Sequence, residues 1–203
     1  MGLRHIDGLR VGVFTAALLP FLWLGYAFFT DRLGANPFEA LTRSSGEWTL
    51  RFLLLTLAMS PLREAFGWRW PLRLRRMFGL YAFFYGLLHL TTYLWFDQFF
   101  DWPEIGRDIL KRPFITAGMG ALLILAALAA TSNQAMMRRL GRRWKPLHRL
   151  VYPAVVLAVL HHFWLVKADL RWPAIYGIIA AGLLGWRLYR RYRRRGSPVV
   201  VRA

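Results

Sequence analysis

Residues 77–96 read MFGLYAFFYGLLHLTTYLWF, a run of 20 residues without an Asp, Glu, Lys or Arg. About 20 mostly apolar residues are what a helix needs to cross the hydrocarbon core of a bilayer. The run therefore predicts a transmembrane helix, and this helix carries one ionisable side chain, His89, within its length. Ionisable side chains inside a membrane are rare, and by default they mark a functional site that faces the interior of a helical bundle.

Five further runs without a charged side chain divide the rest of the chain. They cover residues 11–30, 52–62, 113–137, 150–166 and 172–186. The shortest run becomes long enough if its helix begins near Ser45, because Glu47 and Arg51 have the i,i+4 spacing of a helical ion pair. The sequence thus predicts an all-α integral membrane protein with six transmembrane helices in one domain over residues 1–203. The predicted spans are about 10–30, 45–62, 77–96, 113–132, 148–166 and 172–190.

The charged side chains are distributed unevenly between the two sides of this predicted bundle. The chain has 28 Lys and Arg against 10 Asp and Glu, a formal net charge of +18. The side with both termini holds 20 of the basic and two of the acidic residues, whereas the other side holds eight of each. Because cytoplasmic loops carry the excess of Lys and Arg, both termini are predicted to be cytoplasmic. This distribution explains the net charge without a nucleic-acid partner, and a 57% hydrophobic composition argues against one.

The absence of cysteine narrows the chemistry that this chain can perform. Without a thiol there is no disulfide, zinc finger, iron–sulfur cluster or covalently attached c-type haem. Neither GxGxxG nor the phosphate-binding pattern GxxxxGKS/T occurs, so nucleotide chemistry is not expected. Any metal chemistry must therefore use His, Met or carboxylate ligands.

Two histidines, His89 and His161, lie at the same predicted depth. Each precedes an aspartate by eight residues, and spans three and five run in the same direction. Small residues precede each histidine at helical spacing: Gly86, Ala82 and Gly79 on span three, and Ala158 and Ala154 on span five. They either leave a slot for a flat macrocycle or are ordinary packing positions between membrane helices. Two imidazoles from a bundle can fill both axial positions of a haem iron, which favours electron transfer, whereas zinc lacks a carboxylate or thiolate ligand at this depth.

His148 lies 13 residues before His161, about 20 Å away along a helix axis at the cytoplasmic edge. It is either a histidine at the start of a helix or an axial ligand of a second haem, for which Arg76 stands at the matching position of span three. Nearby basic residues either bind haem propionates or a flavin phosphate, or belong to a positively charged cytoplasmic loop. These residues are Arg73, Arg75, Arg76 and Lys145. His162 lies about 100° from His161 around the helix and is predicted to be a packed or interfacial side chain, the alternative being that it is the ligand in place of His161.

Several separated segments of the chain resemble one known family. They are RRMFGLY (75–81), LHLTTY (88–93), TSNQAM (131–136), WKPLHRLVY (144–152) and WLVK (164–167), with LPFLW (19–23) near the start. In order, and over nearly the whole chain, they are similar to the haem-binding membrane subunit of the bacterial periplasmic methionine sulfoxide reductase system. That subunit belongs to the ferric-reductase-like transmembrane superfamily.

The resemblance implies a b-type cytochrome of the bacterial inner membrane, with haem b in one or two copies and FMN as a further cofactor of the family. His89, His148 and His161 match the haem-associated histidines of the family. The implied electron donor is the quinone pool or a cytoplasmic flavin reductase. The implied acceptor is a periplasmic molybdopterin-containing subunit that reduces methionine sulfoxide in oxidised proteins. The chain would be the electron-transfer subunit of this system and not the part that binds methionine sulfoxide.

Electrons are predicted to leave at the neutral periplasmic face, where loops near 97–112 and 167–172 form the predicted docking surface. Three other functions fit parts of the sequence. A haem protein could reduce ferric iron or oxygen instead, a transporter could use His89 and His161 to relay protons without haem, and an assembly protein would need no cofactor. A proton transporter would be expected to carry intramembrane carboxylates, which the six charge-free runs lack.

Overall fold

The computed structural model describes residues 3–68, 70–166 and 169–195. Within these ranges the chain forms helices and turns and no strand, so the all-α prediction is confirmed. The helices are α1 (Leu3–Phe29), α2 (Pro37–Phe66), α3 (Pro71–Thr92), α4 (Trp102–Lys111), α5 (Pro113–Ala130), α6 (Gln134–Leu140), α7 (Trp144–His148), α8 (Val151–Leu165) and α9 (Arg171–Arg195). A π-helical turn, Tyr93–Asp97, continues α3, and a 3-10 turn, Gly141–Arg143, precedes α7.

Every predicted span coincides with a helix, although not all of these helices are equally apolar. Among the residues described, three stretches are long and apolar enough to cross a membrane: Gly8–Phe29, Pro71–Asp97 and Pro113–Ala130. Helix α8 is apolar but has 15 residues. The surface fits a lipid environment, because Leu22, Leu123 and Ile178 are 52%, 68% and 73% exposed. The chain is thus of the transmembrane type, while the count of six spans and the side of the termini stay predictions.

Helix α2 is longer than its predicted span at both ends. Asn36 caps its start by accepting a hydrogen bond from the Glu39 N–H (3.2 Å), and Pro37 occupies the first turn, where no N–H is needed. Gly67 ends it in the left-handed conformation (φ 69°), which glycine adopts without a steric penalty. Inside the helix, Arg51 Nη2 lies 2.6 Å from Glu47 Oε2, so the predicted ion pair is confirmed.

Helix α8 begins three residues later than the predicted span 148–166. His148 instead ends the short helix α7, and Arg149 and Leu150 form a turn between the two. Pro153 lies in the first turn of α8, where its missing N–H costs nothing, and this places the start of the helix near Val151. His148 is consequently separated from the apolar helix α8 that carries His161.

The core lies where α2 and α3 pack together and hold α1. Leu53, Leu57 and Tyr85 are fully buried there. The Tyr85 hydroxyl accepts a hydrogen bond from the Phe21 N–H and donates one to the Ala17 carbonyl, both at 2.9 Å. These two groups are four residues apart in α1, so the hydroxyl takes the place of a helical hydrogen bond beside Pro20. One tyrosine thus fixes α1 against the core.

The bundle has two chemically different ends. We call the end formed by residues 8–10, 63–68, 70–76, 138–149 and 187–193 the basic end, and the end formed by residues 30–43, 97–112 and 169–171 the neutral end. At the neutral end, α4 is a helix that the sequence did not predict. Asp101 caps it through the Glu104 N–H (3.1 Å), and it buries Ile105 and Asp108 against the bundle. His89 and His161 lie nearer this end, whereas His148 lies at the basic end.

Candidate functional site

His89 on α3 and His161 on α8 face each other inside the bundle. Their ring centroids are 5.9 Å apart, and their planes are nearly perpendicular, at 79°. The two imidazoles, for which the sequence predicts equal depth, are thus close together in the structure. No group of three or more His, Asp or Glu in the described part of the chain is placed to hold a metal ion by itself. A metal at this position would therefore have two protein ligands.

Each imidazole is held by a backbone carbonyl of a neighbouring helix. His89 Nδ1 lies 2.8 Å from the Thr42 carbonyl oxygen of α2, and His161 Nδ1 lies 2.7 Å from the Phe114 carbonyl oxygen of α5. Because a carbonyl oxygen only accepts, Nδ1 carries the proton in both rings. The Nε2 atoms are left with a free lone pair, which is the arrangement of histidines that bind a metal.

A glycine allows each imidazole to approach the helix that holds it. A Cβ atom on Gly46 would lie 3.0 Å from His89 Nδ1, and one on Gly118 would lie 2.7 Å from His161 Nδ1. Each glycine follows the accepting carbonyl by four residues, and each histidine follows it by 47 residues. The same arrangement thus occurs twice, once between α2 and α3 and once between α5 and α8. Neither glycine was predicted from the sequence as part of the site.

A cavity of about 310 Å³ lies beside the two imidazoles. Ligand-binding cavities in proteins begin at about this size. Of the five small residues for which the sequence allowed either a slot or helix packing, Gly86 and Ala158 line the cavity. The other three are packing positions: Gly79 faces Thr56, and Ala82 and Ala154 are completely buried in helix packing. Space beside the histidines is provided instead by the glycines on α2 and α5.

His162 has different surroundings from His161, as predicted. Its ring lies edge-on to Tyr176 of α9, with centroids 5.6 Å apart, and its Nε2 atom is buried without a hydrogen-bond partner. It lines both the histidine cavity and an adjoining cavity of about 350 Å³ at the neutral end. His162 is therefore part of the site but faces its outer edge.

His148 lies at the basic end, away from the other two histidines. Its ring stacks on Trp144 (centroids 4.0 Å apart), and its Nε2 atom lies 3.1 Å from the Thr131 hydroxyl. Trp144 Nε1 also donates to the Thr131 carbonyl (2.9 Å), so both side chains attach α7 to the end of α5. Arg75, Arg76 and Lys145 lie at the same end and do not line the His89–His161 cavity.

The surface predicted to dock a partner consists largely of α4 and its flanks. Phe99, Trp102 and Leu110 are 79%, 64% and 87% exposed, beside an ion pair of Arg107 with Glu104 (3.1 Å). The second predicted loop, near 167–172, begins with Lys167, which lies outside the described residues. The neutral end thus presents exposed aromatic and aliphatic side chains among charges of both signs.

Comparison with known proteins supplies an independent assignment. Residues 11–159 match the family model described as ferric reductase like transmembrane component. The chain is 57% identical over 189 residues to the protein-methionine-sulfoxide reductase heme-binding subunit MsrQ of Rhodospirillum rubrum, which covers 93% of this chain and 91% of that protein. Proteins of the same name from Azospira oryzae and Bordetella pertussis are 53% identical over 195 residues (95% of this chain, 84% of that protein) and 50% identical over 199 residues (96% and 95%). No solved structure matches the chain.

Proposed function

The chain belongs to the ferric-reductase-like transmembrane family and, within it, to the haem-binding subunits of protein-methionine-sulfoxide reductases, and we propose that it is a b-type cytochrome of the bacterial inner membrane. It passes electrons from the quinone pool or from a cytoplasmic flavin reductase to a periplasmic molybdopterin-containing subunit. That subunit reduces methionine sulfoxide and so repairs oxidised proteins. The observation that carries the proposal is the pair of imidazoles with Nδ1 held by carbonyls and Nε2 free.

The residues around the cavity fit a haem. Two axial imidazoles on one metal ion have ring centres about 6 Å apart, since each metal–nitrogen bond is about 2 Å long and each half-ring about 1 Å. The observed separation of 5.9 Å agrees with this value. The wall beside the rings is largely apolar, with Leu50, Leu122 and Leu125 among its members, as a porphyrin requires.

The ligand set favours electron transfer over chemistry at the metal. A haem bound by two histidines exchanges single electrons and has no open coordination position for a substrate. His89 and His161 would supply the two protein ligands of the iron, and the Thr42 and Phe114 carbonyls fix the orientation of both rings. Such hydrogen bonds also raise the basicity of the ligands and so help to set the reduction potential.

The two ends of the bundle suit two different redox partners, an electron donor at the basic end and an electron acceptor at the neutral end. Arg75, Arg76 and Lys145 place positive charge at the basic end, where the phosphate of FMN or an acidic flavin reductase would approach. The exposed side chains of α4 at the neutral end suit a protein acceptor, because large apolar groups among mixed charges are typical of interfaces. We propose that electrons move from the basic towards the neutral end.

The experiment that tests this function is a reduced-minus-oxidised absorption spectrum of the detergent-purified protein, with haem counted per chain. We expect a b-type spectrum with at least one haem, its reduction by a short-chain quinol or a reduced flavin, and its reoxidation by the catalytic subunit in the presence of methionine sulfoxide. A well-folded protein without haem would contradict the proposal and favour a histidine-based proton transporter.

His148 provides a separate prediction on the number of haems. We expect His148→Ala to retain the six-coordinate spectrum of the His89–His161 site, because His148 lies at the other end and contacts Thr131. If His148 binds a second haem, the count per chain falls from two to one, as measured by extracted haem against protein mass. Complete loss of haem in a folded variant would contradict the assignment of His89 and His161 as a pair.

A further inference from the structure

The cavity beside His89 and His161 is polar at one end only. Its deep wall, towards the basic end, is built from small and apolar residues such as Gly86, Leu122 and Leu125. Its outer wall, towards the neutral end, contains polar and charged residues from α2, α8, the π-helical turn after α3 and the residues that flank α4. These are Thr42, Arg43, Glu47, Tyr93, Asp97, Gln98, Arg112 and His162. A ligand that fits this cavity is therefore apolar along most of its edge and polar or charged along one side.

Two polar atoms of the outer wall lack a partner. Thr42 Oγ1 and His162 Nε2 are both buried and make no hydrogen bond. Buried polar groups are nearly always hydrogen-bonded. An unpartnered polar atom in a cavity wall therefore indicates a ligand atom that completes its hydrogen bond. A hydroxyl and a ring nitrogen that carries its proton can both donate, and a carboxylate oxygen can accept from both.

Two guanidinium groups and two carboxylates line the outer wall. Glu47 is paired with Arg51 (2.6 Å), and Asp97 lies at the end of the π-helical turn. Arg43 and Arg112 are paired with Glu39 (3.7 Å) and Asp108 (3.1 Å), two carboxylates that do not line the cavity. Because a guanidinium has five N–H donors, each arginine has further donors for an anion in the cavity.

Asp108 of α4 fixes three donors in this wall. Its buried carboxylate lies 3.1 Å from Arg112 Nε, accepts a hydrogen bond from Gln98 Nε2 (2.9 Å) and accepts another from the Tyr93 hydroxyl (3.3 Å). Asp108 itself does not line the cavity. It therefore lies on the far side of Arg112 from the cavity and holds the Arg112 side chain in position for a ligand in the cavity.

We propose that the propionate edge of the haem lies towards the neutral end, where Arg43 and Arg112 bind its carboxylates with the help of Thr42 and His162. This inference rests on the proposed function, since it concerns the same haem. It replaces the alternative, raised by the sequence, that Arg75, Arg76 and Lys145 bind the propionates of this haem. Those residues do not line the cavity, and Arg76 precedes His89 by 13 residues, about 20 Å along the helix.

The orientation has a consequence for electron transfer. With its charged edge at the neutral end, the haem lies on the side of the bundle where α4 presents its exposed residues. Asp108 then connects the haem edge with the surface of α4, because it belongs to α4 and contacts Arg112, the side chain that binds a haem propionate. A partner that docks on α4 could thus shift Asp108 and, through it, Arg112, and so change the electrostatic potential at the haem.

The test is a binding cycle with two haems, one with free propionates and one with both carboxylates converted to methyl esters. Apoprotein from haem-deficient cells is titrated with each, and dissociation constants are compared for the wild-type protein, Arg43→Gln and Arg112→Lys. We expect Arg43→Gln to weaken binding of the free acid about tenfold, the strength of a charge-assisted hydrogen bond, and to leave binding of the diester unchanged. Arg112→Lys keeps the charge next to Asp108 and is expected to have a smaller effect in the same direction.

Arg139→Gln is the matched control, because Arg139 is an exposed arginine at the basic end. It is expected to bind both haems as the wild-type protein does. Equal losses for the acid and the ester in Arg43→Gln, or no loss for either, would overturn the inference. So would an ester-sensitive loss in Arg76→Gln. Failure of the wild-type protein to bind either haem would instead contradict the proposed function, so the two failures are distinguishable.

Discussion

Replacing either His89 or His161 by alanine is expected to remove the six-coordinate haem from the protein and to stop electron flow to the acceptor. Each imidazole is one of the two that face each other across the cavity, and its Nδ1 is already bound to a carbonyl. Loss of a hydrogen-bond partner behind a metal ligand costs roughly 10- to 100-fold in metal affinity, and loss of the ligand itself should cost more. Haem per chain and the reduced-minus-oxidised spectrum measure the effect.

Added imidazole separates loss of a ligand from loss of the fold. In His161→Ala, Gly118 and the Phe114 carbonyl stay in place, so free imidazole can enter the space that the side chain leaves. We expect it to restore a low-spin spectrum. His5→Ala, which changes a histidine near the N-terminus, is the control and should keep full haem content. Retention of the wild-type spectrum in either cavity variant would exclude that histidine as a ligand.

The positions of the helices followed from the sequence, whereas their ends did not. Runs without charge predicted the six spans because charge is costly in a membrane, and each predicted span lies largely in helix, although the run 113–137 continues past the end of α5 into α6. Helix α4 was missed because it is short and amphipathic, and it depends on burial of Ile105 and Asp108 against the bundle. The late start of α8 depends on Pro153, which a search for charge-free runs does not detect.

The candidate site was predictable as far as the histidines. Equal spacing to Asp97 and Asp169 placed His89 and His161 at one depth, and in the structure their ring centroids are 5.9 Å apart. The parts that hold them were not predictable, because Gly46 and Gly118 lie on other helices and a carbonyl carries no side-chain signal. One pattern could have found them: the sequence repeats glycine 43 residues before histidine in both halves.

Substituting alanine for Gly118 is expected to displace His161 and weaken haem binding, although the same substitution at an ordinary helix position is stabilising. Alanine favours a helix by about 1 kcal/mol over glycine. Here its methyl group would lie 2.7 Å from Nδ1 and 2.9 Å from Cε1 of an imidazole held at 2.7 Å from the Phe114 carbonyl oxygen. Overpacking of this kind costs about 1–3 kcal/mol, so haem affinity should fall by roughly five- to 150-fold.

The graded geometry of three glycines makes this prediction specific to the ligand positions. Gly46→Ala, with a closest approach of 3.0 Å to His89, should have a smaller effect than Gly118→Ala. Gly120 lies on the same helix as Gly118, but a Cβ atom there would meet only the end of the Leu157 side chain at 3.4 Å, so Gly120→Ala should retain haem fully.

A weakened hydrogen bond from His161 Nδ1 to the carbonyl makes the imidazole a poorer donor to ferric iron, so the haem that remains in Gly118→Ala should have a higher midpoint potential. If Gly118→Ala and Gly120→Ala matched each other in haem affinity and potential, the close approach of helix and imidazole would have no part in holding the ligand.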